Sequence, residues 1–216
     1  ADEGVRMILK QFQDLLKKCG VEECGKEGEA FDPNFHNAVM HQEGEGTGER
    51  IMNPQTVVYL EEGATIQMET VQIRGIDSTK RETKIVCGKD AEAVVTERLM
   101  THGDQMAESD MEISLDGEGA RGRVISRSVA KGTSRQVFYP KMVGNAACFG
   151  HVQCDSIIMD DAHIESIPAI VANSTEAQLI HEAAIGKIAG DQLLKLETLG
   201  LSPEEAEECI LKGFLA

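Results

Sequence analysis

Between Cys148 and Glu182 the chain reads CFGHVQCDSIIMDDAHIESIPAIVANSTEAQLIHE, holding two of its six cysteines, three of its six histidines and a closing His-Glu pair. Thiolate sulfur, imidazole and carboxylate are the donors that hold iron, zinc or an iron–sulfur cluster. No other stretch sets all three so close together. The expectation is that Cys154, His181 and Glu182 meet in space. Cys148 is a possible secondary ligand. It lies six residues before Cys154, and even spacing on one strand turns both side chains to the same side. The alternative for Cys148 is a small buried hydrophobe, a common role for free cysteine. His151 and His163 read as surface or stacking residues.

The other reactive side chains carry less. Cys87 and Cys209 fall at expected inward-facing positions and read as core. Cys19 and Cys24 have CxxxxC spacing near a helix end, but no second Cys or His pair follows, as a zinc site requires. His102-Gly-Asp104 reads as a solvated loop. The acidic run Glu204–Glu208 opens a helix, where the dipole favours acids. There is no GxSxG and no GxxxxGK[ST], so the chain has no nucleophile elbow and no phosphate loop of its own. It does not read as an enzyme. Any ATP used must be bound by a partner.

From Asn53 onward, short runs rich in β-branched residues alternate with turns: TVVYL, TIQMETVQI, ETKIVC, EAVVTERL, DMEISL, RVISRSV, QVFYPKMV, FGHVQCDSIIM and HIESIPAI. These read as strands. Turns at Gly63, Gly88, Gly103, Gly117, Gly132, Gly144 and Asp160 separate them. From Gly88 to Asp160 they recur every 12 to 16 residues, often with Ala opening the next strand. A fixed step is a repeat signal. A meander of hairpins and a parallel β-solenoid both fit, and the scarcity of two-residue NG or DG loops favours the solenoid. After Glu182 the chain reads as helical, with Ile185, Ile188, Ala189, Leu193, Leu196 and Leu199 on one face and a stop at Gly200. A second helix starts at Ser202-Pro-Glu-Glu, with Ser202 as N-cap and Glu205 completing a capping box. Two short helices at the end of a β-stack read first as its cap, and second as a groove for a partner.

The totals bound the class. The 216 residues are 41% hydrophobic and 27% charged, ordinary for a globular protein. Aromatics make up only 4%, which suits a core of small aliphatics. A net charge of −16 disfavours nucleic acid and anionic membrane surfaces. No apolar run approaches the ~20 residues needed to cross a bilayer. The acidic, amphipathic N-terminus does not read as a signal peptide. The expected location is cytoplasmic, with cysteines as thiols.

Residues 4–19 read as a helix with Val5, Ile8, Phe12, Leu15 and Leu16 on one face, ended by Gly20. A linker is expected at about 44–53, EGEGTGERIM. Within this first part, GVRMILKQFQDLLKKCGVEE followed by FDPNFHNAVMHQE resembles the middle of GrpE, the nucleotide exchange factor of Hsp70, over about residues 4–48. The resemblance lacks the upstream coiled coil and most of the chaperone-binding β-domain.

The second part, from about Asn53 to the C-terminus, resembles the SufB/SufD family, the scaffold of the SUF iron–sulfur cluster assembly machine. The likeness is carried by residues 59–81, 96–109, 122–159 and 177–215, above all by QCDSIIM and by the run HEAAIGKI–DQL–GL–EEA. The resemblance implies a right-handed parallel β-helix followed by C-terminal helices. It also implies pairing with a second copy or a SufB/SufD-like homologue, and docking of a SufC-type ATPase on the helices. The family's cluster-building cysteine falls on Cys154, and its imidazole and His-Glu pair fall on His181 and Glu182. The expected organisation is a GrpE-like segment at 1–50, a β-helix core at 51–182 and SufC-docking helices at 183–216.

The functional expectation is a scaffold that builds a transient iron–sulfur cluster at the interface of two such subunits. ATP hydrolysis by SufC would open that interface, and apo iron–sulfur proteins would accept the product. The competing expectations are an Hsp70 exchange cofactor working through the GrpE-like segment, and an inert structural β-solenoid.

Overall fold

A computed structural model describes Lys10, residues 48–73 and residues 75–215. The helix expected at 4–19, Cys19, Cys24 and the first part of the linker lie outside the described residues.

Every strand pairing in the described part is parallel. One sheet contains β1 (Ile51–Met52), β2 (Gln55–Leu60), β4 (Ser78–Cys87), β6 (Met106–Leu115), β8 (Arg135–Gly144), β10 (His163–Ser166) and β11 (Ala169–Ala172). The other contains β3 (Thr65–Gln72), β5 (Glu92–Thr101), β7 (Arg121–Ala130), β9 (Phe149–Ile158) and β12 (Gln178–Gly186). The chain alternates between the sheets, so this is a β-solenoid and not a meander of hairpins. Within the second sheet Thr65 pairs with Glu92, Glu92 with Arg121 and Arg121 with Phe149. Each pairing skips one strand of the other sheet, so one coil is two of the sequence steps.

Parallel coils stack like residues into columns. Val58, Ile85, Ile113 and Met142 form one inner column, and the last three of these are fully buried. Facing it, Ile66, Ala93, Gly122, Gly150 and Leu179 form another. A Cβ on Gly150 would come 2.7 Å from Met142 Cγ and 2.8 Å from Leu179 Cδ2, so this column stays narrow where Met142 fills the interior. The turns stack as tightly: a Cβ on Gly117 would lie 2.1 Å from the Lys89 backbone nitrogen. Small aliphatic layers between closely stacked coils explain why so few aromatic residues suffice.

The C-terminus corrects the expected boundaries. The helix expected after Glu182 starts later: strand β12 runs from Gln178 through Gly186, and the first helix is α1 (Gly190–Thr198). The Ala-rich sequence is overridden by nine residue pairings with β9. The second helix, α2 (Pro203–Leu215), starts as the capping box predicts. Glu205 N donates to Ser202 Oγ at 3.3 Å, and Ser202 N donates to Glu205 Oε2 at 2.8 Å. It buries Ala206 and Leu211. It docks beside β7, where Arg127 Nη1 donates to Phe214 O at 3.2 Å and Lys131 pairs with Glu207. It thus lies against the wall of the solenoid and does not cap its end. Cys209, expected in the core, is exposed, because α2 turns Ala206 and Leu211 inward instead.

Candidate functional site

Along the inner face of the second sheet the columns change character. The first two are apolar: the glycine-narrowed column above, and Met68, Val95, Val124, Val152 and His181. The next is Thr70, Glu97, Ser126, Cys154 and Ala183. Opposite it, the first sheet contributes Arg81, Ser109, Phe138 and Ser166. A polar lane thus runs inside the solenoid and reaches Cys154 one coil before the end.

Cys154 is 3% exposed. Burial pushes its thiol up to about 12, with the charges of Glu97 and Asp155 adding to the rise and the Ser166 hydroxyl opposing it. His181, on the neighbouring strand and diagonal to Cys154 on the same face, brings Nε2 to 3.6 Å from Cys154 Sγ. Burial lowers the His181 pKa, Glu182 raises it and His151 lowers it further. The imidazole is therefore held toward its neutral, metal-binding form. Thiol and imidazole are positioned as a soft–borderline donor pair.

Glu182 does not join them. It follows His181 directly, and successive strand residues point to opposite faces. It projects from the outer face, where His151 Nε2 lies 2.8 Å from Glu182 Oε1. The three-residue meeting expected from the sequence therefore divides into an inner Cys154–His181 pair and an outer His151–Glu182 pair, with His151 more engaged than a surface residue. Cys148 is buried with the apolar core. Six residues at ~3.3 Å each put it roughly 20 Å from Cys154 along the strand, too far to share an ion with it. Cys87 is core as expected, its thiol raised to about 11 by burial. His163 and His102 are exposed.

Arg81, Glu97, Ser109, Ser126 and Ser166 are not among the site residues expected from the sequence. Glu97 accepts from Arg81 Nη1 at 3.2 Å, Ser109 Oγ at 3.0 Å and Ser126 Oγ at 3.3 Å. The signal was parity. In EAVVTERL, Glu97 shares the inward positions of Ala93, Val95 and Leu99, and a charge there is out of place on an apolar face.

Among the described residues no group of three or more His, Cys, Asp and Glu side chains stands close enough to hold a metal ion. One chain thus offers an inner pair of donors, which is half of the usual four around iron or zinc.

Comparison with known proteins gives the family. The family model described as the SufBD core domain of the SUF system for FeS cluster assembly matches residues 37–214, and the GrpE model matches residues 2–58. An iron–sulfur cluster assembly SufBD family protein of Methanocaldococcus jannaschii is 30% identical over 91% of this chain and 61% of its own length. One from Archaeoglobus fulgidus is 29% identical over 76% of this chain and 45% of its own length. The GrpE protein of Clostridium acetobutylicum is 60% identical over 47 residues, 22% of this chain and 23% of that protein. The chain spans between two-fifths and two-thirds of the SufBD relatives named here. On the match of the core domain across most of its length, the chain belongs to the SufBD family of iron–sulfur cluster assembly proteins.

Proposed function

We propose that the chain is a scaffold subunit on which a nascent iron–sulfur cluster is built and then handed to apo iron–sulfur proteins. The observation that carries this reading is the Cys154–His181 pair at 3.6 Å, set in a SufBD core domain. The cluster is cargo and not a resident cofactor. The thiolate binds iron and holds sulfur, the imidazole adds a borderline ligand, and Glu182 offers an oxygen donor on the outer face to iron on its way in. In this reading the protein is not itself an enzyme.

Two donors per chain call for a second chain. The edges of both sheets at the last coil support pairing there. Ile180 is 47% exposed and Ile185 45% on edge strand β12. Ile167, Ile170 and Val171 are exposed at β11 and just before it. An uncovered apolar edge strand is a template for another strand. In a homodimer each copy would bring Cys154 and His181 to a shared site. Cys154 is only 3% exposed within a single chain, so loading and release require the last coil of each copy to open. A SufC-type ATPase on α1 and α2 supplies that work in this reading, and the exposed Leu194 and Leu199 give it apolar surface to dock on.

The test is coupled loading and association. Sedimentation of the full chain under anaerobic conditions is expected to move from monomer toward dimer when iron and sulfide are added, with cluster content counted per dimer. A loaded species that sediments as a monomer contradicts the shared site. The GrpE match over residues 2–58 favours a second reading, in which the N-terminal segment contacts an Hsp70 chaperone.

A further inference from the structure

The polar lane ends on a buried hydroxyl that no described protein group pairs with. Ser166 closes β10 and is the last member of the column Arg81–Ser109–Phe138–Ser166. Less than 1 Å² of its Oγ is accessible, and it meets no hydrogen-bond partner among the described residues. A buried hydroxyl left unpaired is uncommon and calls for an explanation. Ser166 lines a cavity of about 20 Å³ together with Cys154, Ser126, Ser156 and Glu97. That is room for about one water molecule. The Ser166 hydroxyl and the Cys154 thiol face the same small cavity, and the hydroxyl favours the charged form of the thiol.

A thiol sulfur is a weak acceptor, so the resting state gives Ser166 little to donate to. An iron-bound thiolate is different. Its proton has left to solvent, its sulfur carries charge, and His181 is committed to the metal. The same lane already shows the pattern. Ser109, in the same column as Ser166, donates to the Glu97 carboxylate at 3.0 Å, and Glu97 stands in the same column as Cys154.

We propose that Ser166 is a positioning residue that donates a hydrogen bond to the Cys154 sulfur when that sulfur holds iron. The proposal rests on the reading of Cys154 as a cluster-building thiolate. Hydrogen bonds to cluster sulfurs stabilise the more reduced, more negative state, so Ser166 raises the cluster's potential and steadies it during assembly.

The experiment loads the full chain with ferric iron, a thiol reductant and sulfide under anaerobic conditions. It compares wild type, Ser166→Ala, Ser166→Thr and Cys154→Ala by visible absorption, iron content and redox titration. In Ser166→Ala the sulfur-to-iron charge-transfer band is expected at longer wavelength and the reduction potential more negative, with iron per chain close to wild type. Ser166→Thr, which keeps the hydroxyl, is expected to restore both. A cluster dependent on Cys154 whose band and potential are the same in Ser166→Ala overturns this proposal and leaves the scaffold reading standing. A cluster that forms equally in Cys154→Ala, or no cluster in wild type even with a SufC-type ATPase and ATP added, overturns both. Should Ser166→Ala fail to fold, Ser166→Val decides instead. It has the shape of the Thr variant without the hydroxyl or a new iron ligand, and an unshifted potential there counts against the proposal.

Discussion

Replacing His181 by alanine is expected to reduce the iron and sulfide held by the loaded chain at least 10–100-fold, a scale seen even for residues that only support a metal ligand. The fold is expected to survive. Strand β12 is held by its pairing with β9 from Gln178 to Gly186, and His181 adds one half-buried ring at the end of the aliphatic column Met68–Val95–Val124–Val152. What disappears is the nitrogen 3.6 Å from Cys154 Sγ. Glu182 is no substitute, because it sits on the other face of the strand against His151. The check is iron and sulfide per chain after anaerobic loading and desalting, beside a circular dichroism spectrum matching wild type. Loading equal to wild type would remove His181 from the site.

Arg81→Ala is expected to destabilise the solenoid by about 3–5 kcal/mol, the usual cost of removing one partner from a buried ion pair. The Glu97 side chain is only 4% exposed and that of Arg81 11%. Without the guanidinium, the carboxylate keeps the Ser109 and Ser126 hydroxyls but no balancing charge. For a domain of this size the melting temperature is expected to fall on the order of 10 °C. The double variant Arg81→Met with Glu97→Leu is expected to recover most of the loss, because it removes both charges. A thermal melt of the three proteins decides. A single variant within about 1 kcal/mol of wild type would mean that water reaches Glu97.

The repeat was legible because solenoids write themselves in punctuation. Gly88, Gly117 and Gly144 recur where the turns stack, and the runs between them alternate along single strands. The expected strands from TVVYL to FGHVQCDSIIM correspond to β2 through β9. The end of β12 was not legible: EAAIG has the composition of a helix, and only the pairing with β9 keeps residues 183–186 in a strand. The division of the site turned on strand parity instead: the sequence expectation kept His181 and Glu182 within the β-helix core and still brought both to Cys154. On a strand they face opposite ways. Glu97 and Arg81 were legible in principle, through a charge at an inward parity. Ser166 was not. Its place depends on which coil lies over which, and that register is a property of the stack and not of any one segment.

The most direct test of the scaffold reading is the visible absorption of the full chain, loaded anaerobically with iron and sulfide, set beside Cys154→Ala. The account predicts a sulfur-to-iron charge-transfer band in wild type and its loss in a variant that keeps the same β-rich circular dichroism. An undiminished band in Cys154→Ala would contradict the account, placing the cluster on other thiols and leaving the Cys154–His181 pair as part of the core.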